Sequence, residues 1–370
     1  MKNKKAAFLL ALAVAALASP GGAVAEEAQE QNAQTQEESA QERERITLTD
    51  NAGREVELEC PVETAVSALR YNNELIRACG AIDHIISVDL NTAQDREYWG
   101  MFDPDEVIGK SQRELDYEKI VELDPEVVIL PANGAYEEAE EKLEPFGIPV
   151  FVISGYDTAD FKDQVSNIGT MFGTQEEAQE FYDYFNGKLE YIREQLEGVE
   201  KRTLYIESTS DLTTIFPGDP MFDMVDYAFA DNIFAVDYEN VNKGEVDPEE
   251  VIARDPEVII KLVTPAEAMS GTGLYTPPSK EEFQAAYDTI TGRAGWDEIE
   301  AVKNDDIYFM TQFSHGGASK LVGTCYIAKM LYPDLLPQLD PAEVFRAWME
   351  DFQGFENVEG HFYSGKDLHS

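Results

Sequence analysis

Hydrophobic and polar positions along this chain follow two different periods. Residues 46–58 alternate apolar and polar in two runs, Ile46-Thr47-Leu48-Thr49 and Glu55-Val56-Glu57-Leu58, around an Asn51-Ala52-Gly53 turn. That is the pattern of a β-hairpin. Beyond it, short and largely apolar runs at 64–69, 85–88, 127–130 and 149–153 alternate with stretches of helical spacing. Apolar runs of this length mark strands buried on both faces, and strands alternating with helices predict a parallel α/β sheet. Asn72 or Asn73 is expected to cap a helix running through Leu75, Ile76 and Cys79 and ended by Gly80. A second helix is expected over 137–146, ended by Gly147.

The strongest signal is a repeat. Residues 115–129 and 246–260 share one pattern at a constant offset of 131. Each copy opens on an Asp (Asp116, Asp247) whose carboxylate can accept the unpaired N–H groups of a helix's first turn. An apolar pair follows (Ile120-Val121, Val251-Ile252), then an Asp-Pro step (Asp124-Pro125, Asp255-Pro256), then a β-branched run. The residue before a proline is pushed out of the α region, so each copy reads as a short helix, a stop and a buried strand. A shorter echo pairs 84–89 with 232–237. Copies this far apart predict two lobes of similar build, not a solenoid with a period of about 20–50 residues.

Residues 159–197 break the alternation. Phe161, Val165, Ile168 and Phe172 fall at helical spacing, Gly173 interrupts, Thr174 and Glu177 have the spacing of a capping box, and Ala178, Phe181, Phe185, Leu189, Ile192 and Leu196 continue the stripe. This predicts a long, slightly broken helical connection. In the second half, strands are expected at 203–207, 258–263 and 307–310, a Gly/Pro/Thr-rich loop at 264–279, and helices at 317–330 and 341–352. The expected organisation is a signal peptide (1–25), an acidic flexible tether (26–45), an N-terminal α/β lobe (46–157), an inter-lobe helix (158–199), a C-terminal α/β lobe (200–358) and a mobile tail (359–370).

Charge and cysteine content narrow the class. The 370 residues carry 28 Lys+Arg against 73 Asp+Glu, a net charge of −45. Nucleic acid needs basic contacts to its phosphates, so it is excluded as a partner; the acidity reads as a solvated surface. Lys2, Lys4 and Lys5 precede an apolar stretch at 6–18 that is too short to span a bilayer, and Ala23-Val24-Ala25 fits a cleavage site. The protein is therefore expected outside the cytoplasm, in a periplasm or on the outer face of the cell membrane. No Cys stands at the cleavage site to carry a lipid anchor. In that oxidising compartment, Cys60 before a strand and Cys79 at the end of the next helix would lie at one sheet edge. A Cys60–Cys79 disulfide is expected, contributing on the order of 3 kcal/mol. Cys325, in an apolar helical stretch, is expected to be a buried thiol.

Several of these segments together resemble one family. They are Ile46-Thr47-Leu48-Thr49-Asp50 with Gly53-Arg54, residues 75–88, 120–129 with Asp124-Pro125, Phe146-Gly147-Ile148-Pro149-Val150, Asn232-Ile233-Phe234, 251–260, and 296–309 with Ala301-Val302-Lys303. In order and spacing, over roughly residues 46–353, the chain resembles the class III substrate-binding proteins of ABC importers, which handle iron–siderophore complexes, haem and cobalamin. The resemblance implies two Rossmann-like lobes with mostly parallel sheets, a long rigid helix between them, and a ligand cleft at their interface with little hinge motion. It also implies docking on a membrane-embedded permease through surface acids, among which the sequence singles out none. The protein itself is expected to be a monomer.

In open parallel sheets, ligands bind beyond the carboxyl ends of the strands. That rule nominates Ser67, Arg70 and Tyr71 after the first strand, Tyr98 and Trp99 after the second, and Asn133 and Tyr136 after the third. In the second half it nominates Ser208, Ser210 and Phe216, then Thr264, Met269 and Tyr275, then Gln312, Phe313 and His315. Aromatic rings offer broad contact surfaces, and an Arg pairs with a ligand carboxylate or oxyanion. The expected cargo is an iron chelate of the ferric siderophore type, with cobalamin, haem and a metal oxyanion such as molybdate as alternatives. Nucleophile-elbow, dinucleotide, Walker and H-E-x-x-H motifs are all missing, so an enzyme is not expected. His84, His315, His361 and His369 are scattered, so neither a directly ligated metal nor a resident cofactor is expected.

Overall fold

The computed structural model describes residues 43–219, 221–235, 243–265, 273, 275–312 and 316–369. The chain opens with an antiparallel hairpin, β1 (Glu44–Thr49) and β2 (Glu55–Cys60). Its turn is tied by the buried Asp50 carboxylate, which accepts from Ala52 N and Arg54 N at 2.9 Å and from Val152 N at 3.1 Å. Then come β3 (Ala65–Ser67), α1 (Arg70–Ala78), β4 (Ile85–Val88), α2 (Arg96–Trp99), and a small hairpin of β5 (Gly109–Ser111) and β6 (Glu114–Leu115). The first half closes with α3 (Tyr117–Leu123), β7 (Val127–Leu130), α4 (Tyr136–Leu143) and β8 (Val150–Val152). Strands β4-β3-β7-β8 form an all-parallel sheet.

The helical connection is not one rod. Helix α5 (Phe161–Phe172) ends at Gly173, whose left-handed φ of 75° costs glycine nothing, and α6 (Gln175–Gln195) folds back along it. Phe161 packs on Phe185 at 4.2 Å, and a Cβ on Gly169 would stand 2.9 Å from that of Ala178. The Thr174–Glu177 capping box does not form: Thr174 makes no cap bond, and Glu177 lies against Gly80.

The second half contains β9 (Arg202–Glu207), β10 (Thr213–Ile215), α7 (Phe222–Tyr227), β11 (Ala230–Asn232), β12 (Lys243–Glu245), α8 (Pro248–Arg254), β13 (Val258–Val263), α9 (Lys280–Thr291) and β14 (Ile307–Thr311). After these come α10 (Lys320–Leu331), α11 (Pro341–Ala347) and β15 (Phe362–Ser364). The parallel core of this sheet runs β11-β9-β13-β14, with β10 and β12 antiparallel at one side and β15 antiparallel at the other. In both sheets the lateral order of the parallel strands is second, first, third, fourth. The repeated modules are α3–β7 and α8–β13, the third strand of each half. The shorter echo marks the second strand only in the first half: β4 is Ile85–Val88, whereas β11 ends at Asn232, 233–235 form a turn, and residues 236–237 lie outside the described residues.

Both caps form as the spacing predicts: Asp116 accepts from Lys119 N at 3.0 Å, and Asp247 from Glu249 N at 2.9 Å. The helix stops differ from the expectation. Asp124 and Asp255 leave the helix by turning left-handed, with φ of 48° and 44°. Asp is among the few residues that tolerate this conformation. Alternate strand residues then feed opposite faces of each sheet, and so three core clusters. Val127, Ile129, Leu204, Ile206, Val258 and Ile260 face one cluster, while Val128 and Leu130 face a second and Tyr205 and Ile259 a third.

Three further expectations are corrected. Cys60 and Cys79 form no bridge: Cys79 is a buried thiol with its pKa pushed up by burial. Cys60 ends β2 of the outlying hairpin, where Val62 N bonds Met171 O of α5, and it does not sit at the edge of the parallel sheet. Asn72 and Asn73 are not caps but buried residues inside α1. The segment expected as a mobile tail forms β15, paired through Tyr308↔Ser364 and Met310↔Phe362, with the Phe362 ring stacked on Tyr326 at 3.4 Å. Phe362→Ala should therefore cost roughly 2 kcal/mol in urea unfolding, whereas a mobile tail would leave the midpoint unchanged.

Candidate functional site

The crossing from β3 to α1 sets the geometry of the junction between the two halves. Leu69 takes a φ of 83°, held by its N–H on Asp89 Oδ1 at 3.0 Å. A strained φ at a non-glycine residue persists only where neighbours fix it. The turn starts α1 abruptly with Arg70 and Tyr71, and Ser67 lies fully buried at the end of β3. Arg70 is half-buried; its Nε stands 3.3 Å from Glu74 Oε1, and its guanidinium lies 4.8 Å over the Tyr71 ring. The Tyr71 phenol has its pKa raised by burial.

The second half meets this helix directly. A Cβ on Gly316 would run into the Tyr71 ring, and one on Gly317 would stand 2.7 Å from Gly155 O. Gly155, in the loop after β8, donates to Asn72 Oδ1 at 2.8 Å. Tyr275, in the loop after β13, donates its phenol to Glu74 Oε1 and stacks on Tyr98 at 3.7 Å and 22°. Gln353 donates to Glu74 O at 3.0 Å, and Phe355 packs on Tyr98 at 4.6 Å. Glu74 is thus a buried carboxyl at the junction. Burial raises its pKa to about 7, against the pull of Arg70 and Arg77. Arg77 is pinned 3.8 Å over Trp99 and donates to Tyr98 O at 3.0 Å; burial lowers its pKa to about 10.

A second polar knot ties the halves nearby. Thr158 Oγ1 contacts Asp223 Oδ2 at 3.2 Å and Tyr227 OH at 3.0 Å, and the fully buried Lys320 reaches the same Asp223 oxygen at 2.8 Å. Under the loop after β9, Glu207 is buried with Lys261 at 2.9 Å and Arg293 at 2.7 Å, and Lys261 also holds the Ser208 carbonyl at 2.8 Å.

Of the nominated residues, Arg70, Tyr71, Tyr98 and Tyr275 converge at this junction. Others serve elsewhere. Trp99 is fully buried beneath Arg77, and Phe216 is buried in the core of the second sheet. Tyr136 carries Arg54 over its ring at 5.0 Å, and the Asn133 carbonyl takes Arg113 Nε at 2.9 Å. Ser208 contributes its carbonyl to Lys261, Ser210 is exposed, and Thr264 bonds Gln312 Oε1 at 3.1 Å. Met269, Phe313 and His315 lie outside the described residues. Glu74 was not nominated, although its i,i+4 spacing from Arg70 was visible. Gln353 and Phe355 had no such signal. Among the described residues, no three His, Cys, Asp or Glu side chains could hold a metal ion, and no helix is long and apolar enough to cross a membrane.

Two similarly ordered parallel sheets meeting at an aromatic and charged junction define a two-lobed binding protein. The chain belongs to the periplasmic binding protein family, which matches residues 72–312. It is 22% identical over 301 residues to an uncharacterised ABC transporter substrate-binding lipoprotein, YvrC, of Bacillus subtilis, covering 78% of this chain and 86% of the relative. It is 24% identical over 216 residues to a vitamin B12-binding protein of Vibrio parahaemolyticus, covering 58% of this chain and 75% of that protein. Among solved structures, the TroA-like periplasmic binding protein FepB of Veillonella parvula superposes with a TM-score of 0.72 at 18% identity, covering 86% of this chain and 99% of its own. The protein is accordingly an exported substrate-binding component of an ABC importer.

The raised pKa of Glu74 makes a testable statement about stability. Between the ordinary carboxylate range and about 7 the folded protein binds the extra proton, so this group's contribution is full at low pH and is lost as pH rises through about 7. Glu74→Gln should therefore gain about 2.5 kcal/mol relative to the parent between pH 5 and pH 8, read by urea unfolding at both values. An unchanged difference would mean that Glu74 titrates normally.

Proposed function

We propose that the cargo is an organic metal chelate, of the ferric siderophore type, captured at the junction of α1 with the loops after β8 and β13 and handed to a permease in the membrane. The observation that carries this reading is the setting of Arg70: a half-buried guanidinium at the carboxyl end of the first strand, beside Tyr71 and within reach of the Tyr98–Tyr275 stack. A guanidinium suits an anionic oxygen donor, and ring faces suit the flat, apolar body of a chelator. In the same reading, residues 46–157 and 200–358 are the two lobes and the protein acts as a monomer without a resident cofactor. A corrinoid is the second reading, favoured by the similarity to a vitamin B12-binding protein.

The test is a thermal-shift panel of ferric catecholate, ferric hydroxamate, cyanocobalamin, haem and molybdate. A ferric chelate present at about 100 times its dissociation constant should add about 2.7 kcal/mol. A shift with cyanocobalamin alone would move the assignment to the corrinoid, and no shift with any chelate would remove it. Arg70→Ala should weaken binding of an anionic chelate about five- to tenfold in a fluorescence titration, and unchanged affinity would take Arg70 out of the site.

A further inference from the structure

The Tyr98–Glu74 face of the junction is already covered, and the group that covers it is a phenol. Tyr98 and Glu74 sit on helices α2 and α1, and Arg77 on the next turn of α1 is clamped between Trp99 at 3.8 Å and Phe355 at 4.8 Å. Tyr98 is also held from the far side by Phe355 and by Met349, whose sulfur lies 4.0 Å from its hydroxyl. The slot is therefore built from fixed parts. Tyr275 is carried differently. It lies between β13 and α9, on no strand or helix, and the described turn beside it is the bond from Thr276 N to Gly273 O at 2.9 Å, with Gly273 at a φ of 69°. Withdrawing its side chain breaks the stack on Tyr98 and the Glu74 contact but no sheet pairing.

We propose that Tyr275 is a resident occupant of the cargo site: its side chain fills a slot for a hydroxylated aromatic ring, stacked on Tyr98 and hydrogen-bonded to Glu74, and a cargo bearing such a ring binds by displacing it. This rests on the chelate reading above and deepens it, naming aryl-hydroxyl chelators, catechol or phenol in type, over hydroxamates or bare oxyanions. The chemistry of the slot follows from its occupant. A ring face 3.7 Å away accepts another planar ring, and the buried carboxyl beside it accepts a hydrogen bond from a free ring hydroxyl or, while it holds its own proton, donates one to a metal-bound phenolate oxygen. Arg70, 3.3 Å from the same carboxyl, is placed to meet a second, ionised oxygen on that ring. The occupant lowers the apparent affinity of any cargo by the fraction of time it holds the slot.

Two measurements test this. In the first, Tyr275→Ala is heated with and without 4-methylphenol, which carries the deleted phenol ring; Tyr275→Ser is run alongside, so that one folded variant suffices. The phenol should raise the variant's Tm by at least about 3 °C and leave the parent protein within about 1 °C, with toluene giving less because it lacks the hydroxyl. No shift by 4-methylphenol in the folded variant overturns the proposal. In the second, the ferric complex of 2,3-dihydroxybenzoate is titrated into parent and variant, which should bind it about three- to tenfold more tightly. Weaker or equal binding by the variant overturns displacement. If 4-methylphenol rescues the variant while no ferric complex binds either protein, the slot stands and the chelate reading falls.

Discussion

Parallel pairing is the constraint from which the rest of this structure follows. Parallel neighbours cannot be joined by a tight turn, so each strand must return through a crossover, and every strand of a sheet ends on the same edge. Both halves solve this identically: the first strand, β3 or β9, lies inside the sheet, the second pairs on one side of it and the third on the other. The chain changes side next to β3, and in open parallel sheets that reversal of winding is where ligands bind. Arg70 and Tyr71 are the first residues of the helix that leaves that strand, and the loops after β8 and β13 bring Gly155 and Tyr275 to the same region.

Polar burial is the second organising fact. The junction and the second half each hold a buried carboxylate matched to cations, Glu74 with Arg70 and Arg77, and Glu207 with Lys261 and Arg293. The two differ in kind. Glu207 takes a two-pronged guanidinium, an ammonium and the Tyr205 hydroxyl, so all its partners come from its own half. Glu74 takes its phenol from across the junction and keeps a raised pKa. A fully matched carboxylate fixes a loop, whereas an incompletely matched one is where exchange of partners is least costly.

Most of the architecture was legible because it is written in periods. The doubled helix–stop–strand module, with Asp caps at 116 and 247, located the third strand of each half, while the weaker echo at 84–89 met a second strand only in the first half. What escaped was set by contacts distant in sequence. The fold-back of α5 on α6 depends on Gly169 meeting Ala178, which a helical stripe cannot distinguish from a bent rod. The last strand, β15, is three residues long and exists because β14 offers it an open edge. Loop position nominated Arg70, Tyr71, Tyr98 and Tyr275, which meet at the junction, but the same rule also gathered Trp99 and Phe216, whose rings went to cores. Glu74 lies one turn into a helix, beyond what a rule about loops can reach.

The placement of Arg70 has a kinetic side. It is one half-buried positive group at the junction of a chain whose overall charge is −45. An anionic guest would approach against the far field of the molecule and feel attraction only within a few ångströms of the guanidinium. Mobile ions shorten the reach of the distant repulsion more than that of the close contact. Capture of such a guest would therefore quicken in brine, the reverse of what is usual when charge guides two molecules together.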